Sequence, residues 1–238
     1  MNKIEILNKY IQEANNIVFF GGAGVSTESG IKDFRSKDGL YNQKYKYPTE
    51  QILSQSFFQK HTDEFYKFYK DKLNCLNAKP NICHKYLTKL EKEGKLKAII
   101  TQNIDGLHQK ANSTNILELH GTIYKNYCMN CHKSYNADYI FNSKNIPICT
   151  CGGIIKPDVV LYEEPLDNEI ITKTIDYISK CDLLIVAGTS LTVYPAASFI
   201  RYFNGKHLVI INKDKTPSDN IADLVINDSL GNVFKKLT

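Results

Sequence analysis

With 238 residues, 42% of them hydrophobic, the chain can bury a full core as one large domain or one domain plus a small insert. No apolar run approaches the length of a membrane span. The net charge of +5 comes from scattered lysines, not from a basic run interleaved with aromatics, so neither membrane attachment nor direct nucleic-acid binding is expected.

Met1 to Asn16 mixes Lys3, Glu5, Lys9 and Glu13 with Ile4, Leu7 and Ile11, the pattern of an amphipathic helix. It lacks the continuous apolar segment of a signal peptide, and a cytoplasmic protein is expected. A short buried strand, Ile17-Val18-Phe19-Phe20, then runs into the glycine-rich stretch from Gly21 to Gly30. A strand, a glycine turn and a helix start make a cradle for a pyrophosphate, with amide groups facing the anion. The dehydrogenase fingerprint is not met, because its third glycine would fall on Thr27 and no acidic residue ends a second strand about twenty residues on. A dinucleotide is therefore expected, without hydride-transfer architecture. Asp33-Phe34-Arg35-Ser36 follows. Arg35 and Arg201 are the only arginines among 30 basic residues, so an arginine inside a motif points to a need for the planar guanidinium fork at phosphate or ribose oxygens. Phe34 beside it can shield a reactive centre from water.

A long loop, Lys32 to Pro48, leads to aromatic-rich helices carrying Phe57, Phe58, Phe65, Phe68 and Tyr69. Pro80 opens a helix whose face is Ile82, Cys83, Tyr86, Leu87 and Leu90. A second strand, Leu96 to Ile100, ends in Thr101-Gln102-Asn103-Ile104-Asp105-Gly106-Leu107-His108. A fold needs no such polar cluster, and ligands sit outside the carboxyl ends of strands in open α/β sheets. After a brief strand, Asn115 to Leu117, comes His120-Gly121, and His120 is read as a general base. His61, His84, His108, His132 and His207 are read as ordinary, although His108 lies close to the polar cluster.

The seven cysteines are an odd count that argues against a disulfide framework. Cys128-x-x-Cys131, seventeen residues, then Cys149-x-Cys151 reads as a zinc ribbon with a closed, structural four-sulfur shell. His132 is a spare ligand candidate, and Cys75, Cys83 and Cys181 are expected in the core. Strands at Asp158 to Leu161, Leu183 to Ala187, Leu208 to Ile211 and Leu224 to Ile226 follow, with helices at Asn168 to Ser179 and Ala196 to Phe203. The alternation predicts a parallel sheet covered on both faces. Gly188-Thr189-Ser190 and Asn212 end two of these strands, where they can hydrogen-bond a ribose or phosphate.

Taken in series, Gly22-Ala23-Gly24-Val25-Ser26, Ser29 to Ser36, Thr101 to His108, His120-Gly121, the four cysteines, Pro157 to Val160, Gly188-Thr189-Ser190 and Ile211-Asn212 resemble the sirtuin family of NAD-dependent protein lysine deacylases. The match spans essentially the whole chain. It implies an α/β fold with a Rossmann-like parallel sheet and helices on both faces, plus a small zinc-ribbon and helical domain formed by insertions. Residues 1–31, 76–121 and 158–238 are then the Rossmann-like NAD-binding domain, 32–75 the cofactor loop and helical insertion, and 122–157 the zinc-ribbon insertion.

The resemblance implies that NAD is consumed as co-substrate, one zinc is structural, and acetylated proteins are the partners. The acyl oxygen attacks the nicotinamide ribose, nicotinamide leaves, and His120 deprotonates a ribose hydroxyl, leading to lysine and O-acyl-ADP-ribose. Catalysis would rest on His120, Asn103 and Asp105. Asp105 and Ile104 would hold the carboxamide, and Asn103 and Gln102 the ribose side. Phe34 would keep nicotinamide from returning, Arg35 beside Asp33 would orient the cofactor, and Gly22, Ala23, Gly24 and Thr27 would form the phosphate turn. Gly188, Thr189, Ser190, Asn212 and Leu230 would line the adenosine half. Val160, Leu161 and Tyr162 would add a strand to the substrate backbone.

Three departures from the family pattern stand out. Lys32 replaces a usual proline, Glu163 replaces a usual glycine, and the second zinc knuckle is one residue short. Members that remove acidic acyl groups carry Tyr-x-x-Arg in the pocket. The nearest candidate here is Tyr69-Lys70-Asp71-Lys72, and lysine lacks the bidentate fork, so acetyl is expected over succinyl. The rival readings are an oxidoreductase, which lacks its fingerprint, a zinc-ribbon nucleic-acid binder, which lacks a basic face, and an ADP-ribosyl transferase, against which His120 argues.

Overall fold

Why the apolar runs are continuous rather than alternating is plain in the computed structural model, which describes residues 1–36, 38–42 and 45–237. The strands at its centre are buried on both faces. In order, the elements are α1 (Lys3–Glu13), β1 (Ile17–Gly21), α2 (Thr49–Ile52), α3 (Gln55–Lys60), α4 (Thr62–Lys72), α5 (Ile82–Lys92), β2 (Leu96–Thr101), α6 (Leu107–Lys110), β3 (Ile116–Glu118) and β4 (Gly121–Cys128). There follow β5 (Ser134–Tyr135), α7 (Ala137–Asn142), β6 (Ile155–Val159), α8 (Asn168–Lys180), β7 (Leu183–Ala187), β8 (His207–Ile211), β9 (Leu224–Ile226) and α9 (Leu230–Lys235).

Six strands form one parallel sheet in the order β3-β2-β1-β7-β8-β9. The period of two along β1 sends Ile17 and Phe19 into one core, with Leu7 and Ile11 of α1 and Leu87 of α5. Val18 and Phe20 enter the other, with Ile178 of α8 and Phe199. The order reverses beside β1, so the ends of β1, β2 and β7 open a crevice at the topological switch point. α1 starts where Asn2 and Glu5 form a reciprocal capping box.

A second, antiparallel sheet has the order β5-β4-β6. Its Ile123 and Ile155 share a core with Phe57, Phe58, Phe65, Tyr66, Phe68 and Tyr69 of α3 and α4. Two stretches far apart in sequence thus bury one aromatic core. The strand expected at Asp158 to Leu161 is corrected: it begins at Ile155, ends at Val159 and pairs antiparallel with β4, outside the parallel sheet. An apolar run alone does not say which sheet accepts it. The helix start expected after Gly22 is two short 3₁₀ turns, Ala23–Val25 and Thr27–Ser29, and Ala196–Tyr202 is also 3₁₀. Cys83 and Cys181 are buried as expected, whereas Cys75 is only half-buried and lines the cleft.

His84 and His108 face each other inside the main domain, ring centroids 4.7 Å apart and almost wholly buried. Burial disfavours the imidazolium, pushing His84 down to about 4 and His108 well below its ordinary value. The unfolded chain takes up these protons near pH 6.5, so stability falls as pH drops from 6.5 toward 4. His84 alone is expected to cost about 2 kcal/mol by pH 5. Urea unfolding should therefore show a steeper loss between pH 6.5 and 5 in the parent than in His84→Gln. Equal slopes would contradict this account.

Candidate active site

The crevice holds a cavity of about 1420 Å³, larger than a drug-sized pocket and open enough for a dinucleotide beside a peptide end. One wall is the glycine turn. Gly22 N–H donates to Ala187 O (3.1 Å) and Gly24 N–H to Gly188 O (2.8 Å), fastening the turn to the end of β7. A Cβ on Gly22 would lie 2.7 Å from Thr189 Cβ, and one on Gly24 2.7 Å from Gly188 Cα. The glycines are required by this close approach of two strand ends. Gly22 lies behind the cavity wall, whereas Ala23, Gly24 and Thr27 line it.

The floor is the polar segment after β2. Gln102 N–H donates to Gly21 O (3.0 Å), and its side-chain amide donates to Thr189 Oγ1 (3.1 Å). Ser26 Oγ donates to Asp105 Oδ2 (2.6 Å) and accepts from Asn103 Nδ2 (3.1 Å), while Leu107 N–H donates to Asp105 Oδ1 (2.9 Å). Burial raises the Asp105 pKa, and the Ser26 and Leu107 hydrogen bonds oppose it. Ser26 is the residue of this cluster that the sequence reading did not assign to the site. Its signal was a hydroxyl at the foot of the glycine turn, where a small apolar residue would pack as well.

His120 follows β3, and Gly121 after it has φ +71° with Asp158 O 2.0 Å from where a Cβ would sit. No side chain fits there, which explains the His-Gly pair. The His120 Nδ1–H donates to Gln102 O (3.0 Å), leaving Nε2 as the lone-pair nitrogen. Burial pushes the His120 pKa below its ordinary value, and the bond to Gln102 opposes this.

The cofactor loop curls over the cavity. Asp33 Oδ1 accepts from Arg35 N–H (3.0 Å) and Ser36 N–H (2.8 Å), so Asp33 shapes the loop. Phe34 and Arg35 line the cavity, as do Gly188, Thr189, Ser190, Asn212 and Leu230 on the far side. Glu28 ties that side to the turn by accepting from Gly231 N–H (2.8 Å). Val160, Leu161 and Tyr162 form the opposite lip, with Val160 N–H donating to His120 O (3.0 Å). Val193, Tyr194 and Lys213 also line the cavity and were not singled out from the sequence.

The departures now have surroundings. Glu163 sits at φ +75°, where glycine is favoured, and its carboxylate accepts from Ser56 N–H and Oγ, both at 2.9 Å. Lys32 is exposed on the cavity rim. Tyr69 is fully buried against Phe141, and Lys72 pairs with Asp71 at 2.9 Å. The two therefore do not face the cavity together.

The sulfurs of Cys128, Cys131, Cys149 and Cys151 lie within 4.8 Å of one another. A zinc tetrathiolate needs S···S distances of about 3.8 Å, so the donor set and its spacing fit zinc. Tyr135 O–H donates to Cys149 Sγ (3.0 Å). Among the described residues His132 stands outside this group. A Cβ on Gly153 would lie 2.7 Å from Cys128 Sγ, so the short knuckle is closed by a glycine.

The sequence profile of the Sir2 family matches residues 22–195. An NAD-dependent protein deacetylase of Clostridium perfringens (strain 13 / Type A) is 59% identical, over 99% of this chain and 98% of its own length. Another from Fusobacterium nucleatum subsp. nucleatum is 49% identical over 99% of this chain and 91% of its own. A solved complex of Sir2 with p53 peptide and NAD+ superposes with a TM-score of 0.87 at 39% identity, covering 100% of this chain and 97% of that one. A second Sir2 structure, with an inhibitor, 2′-O-acetyl-ADP-ribose and deacetylated p53 peptide, gives 0.86 at 36% identity, covering 98% and 96%.

Proposed function

This chain belongs to the Sir2 family, and from that premise we infer that it is an NAD-dependent protein lysine deacetylase, yielding nicotinamide, lysine and O-acetyl-ADP-ribose. The observation that carries the reading is one cleft bounded by the glycine turn, His120 and the Val160–Tyr162 lip. NAD, when bound, supplies the ribose carbon that loses nicotinamide and accepts the acetyl oxygen.

The residues divide the work. Gly24, Ala23 and Thr27 hold the phosphates, while Thr189, Ser190, Asn212 and Leu230 hold the adenosine half. Asp105 accepts the carboxamide N–H, oriented by the Ser26 and Leu107 bonds. Ile104 packs on the same group, and Gln102 and Asn103 order the ribose. Phe34 and Arg35 close over the cleft and exclude water. His120 Nε2 takes the ribose hydroxyl proton, because Nδ1 is committed to Gln102 O. Val160, Leu161 and Tyr162 present backbone groups to the substrate chain.

No described helix is long and apolar enough to cross a membrane. The reading extends to a cytoplasmic location, where a reducing environment leaves these thiols free of disulfides and available to zinc. It also extends to acetylated protein segments as partners and, because the lysines are dispersed, to no direct nucleic-acid binding.

The deciding experiment incubates the protein with NAD and an acetyl-lysine peptide. Nicotinamide and free lysine should appear one for one, and neither product without the other reactant. Succinyl-lysine peptide should be turned over at least about tenfold more slowly, since Tyr69 is buried away from the cavity and the cation three residues on, Lys72, has no bidentate fork and is paired with Asp71. Equal turnover would overturn the acyl preference without touching the reaction.

A further inference from the structure

The cofactor loop and the substrate lip meet through two tyrosine hydroxyls. Tyr41 and Tyr162 lie 2.5 Å apart, O to O, across the mouth of the cleft. Tyr41 is also the hub of its own loop. Its backbone N–H donates to Phe34 O (2.9 Å), its ring lies 5.5 Å from the Phe34 ring, and the Arg35 guanidinium sits over it at 5.1 Å. Tyr162 is pinned just as firmly on its side. Its N–H donates to Leu53 O and its C=O accepts from Gln55 N–H, both at 2.9 Å. The residues after it are tied down by Glu163 to Ser56 and by the half-buried Glu164 carboxylate, which meets Lys156 Nζ at 3.1 Å and accepts from Leu161 N–H at 2.8 Å.

One hydrogen bond therefore joins a rigid lip to the ring that packs on Phe34 and Arg35. The other described bonds of residues 33–42 are local or lead to Thr49, such as Thr49 Oγ1 to Leu40 O (2.9 Å) and Asn42 Nδ2 to Ser36 O (2.7 Å). Packing of Phe34 on the aromatic core and burial of Leu40 seat the base of the loop, and the tyrosine pair is its described hydrogen bond to the lip.

We propose that Tyr41 and Tyr162 are positioning residues that hold the cofactor loop closed, so that a side chain on the peptide-binding lip sets the affinity for NAD. The inference rests on the assignment of the cleft to NAD and peptide made above. It predicts a crossed effect: altering the lip changes the cofactor constant.

The test uses Tyr162→Phe, Tyr41→Phe and the double variant of the full chain, assayed for nicotinamide release with acetyl-lysine peptide and NAD. Both rings stay in place, and only the bond is lost. Each single variant should raise the KM for NAD about three- to tenfold, the range of one neutral hydrogen bond. The KM for peptide should stay within about twofold in Tyr41→Phe, because its backbone site is untouched. The double variant should be no worse than the weaker single, since the second substitution has no bond left to remove. A KM for NAD unchanged in both singles overturns the proposal, and so do single effects that add in the double. A parent that releases no nicotinamide at all would instead overturn the cofactor reading beneath it.

Discussion

His120→Ala is expected to lower kcat for deacetylation by about 10²- to 10⁴-fold, the range for losing a positioned general base. The imidazole has one nitrogen bonded to Gln102 O and the other free, so it accepts a proton without first breaking a bond. Burial keeps it neutral below its ordinary pKa. The rate should therefore stay flat through neutral pH and fall only on an acid limb that lies below the ordinary histidine range, as the base is protonated. That limb should vanish in the alanine variant. The KM for NAD should change little, because the turn and the Asp105 cluster are separate from the ring. Proton abstraction follows departure of nicotinamide, so nicotinamide release should suffer less than release of free lysine. Undiminished deacetylation would remove His120 from the mechanism.

Withdrawing zinc should have the second large effect. A structural tetrathiolate zinc contributes about 10–16 kcal/mol of apparent binding energy, as much as a whole domain's stability. Cys128 ends β4 and Cys151 precedes β6. The same two strands carry His120-Gly121 and the Val160–Tyr162 lip at their other ends. Cys128 and Cys149 also belong to the core that holds the aromatic helices. Chelation, or Cys149→Ala, should therefore abolish activity by about 100-fold or more and expose residues 121–159 to hydrogen exchange. Strands β1, β7 and β8 should keep their protection, since their core is separate. Metal analysis of the intact protein should give one zinc per chain. Full activity after complete removal of zinc would contradict this.

The parallel sheet was legible because its strands are buried on both faces and so read as unbroken apolar runs, Ile17 to Phe20 and Leu183 to Ala187 among them. The polar residues after β2 were legible because nothing in packing calls for them. The strand near Pro157 was misplaced for the converse reason. Its apolar residues satisfy either sheet, and only pairing with β4 decides. Cys75 packs against the aromatic core but is only half-buried, because its place after a helix end lies where that core meets the cleft wall.

Residue type and spacing by themselves determined the chemistry on offer: a glycine turn after a strand, a base beside a glycine, two thiol pairs and an arginine inside a motif of a lysine-rich chain. These are local requirements, set by backbone freedom, ligand chemistry and charge geometry. The tertiary structure alone decided who meets whom. It set Ser26 against Asp105 across 79 residues of chain, and Tyr41 against Tyr162 across 121. It also put Glu163, at a backbone angle suited to glycine, where Ser56 repays the strain with two hydrogen bonds. Contacts between distant segments depend on how two cores pack together, and no local pattern records that.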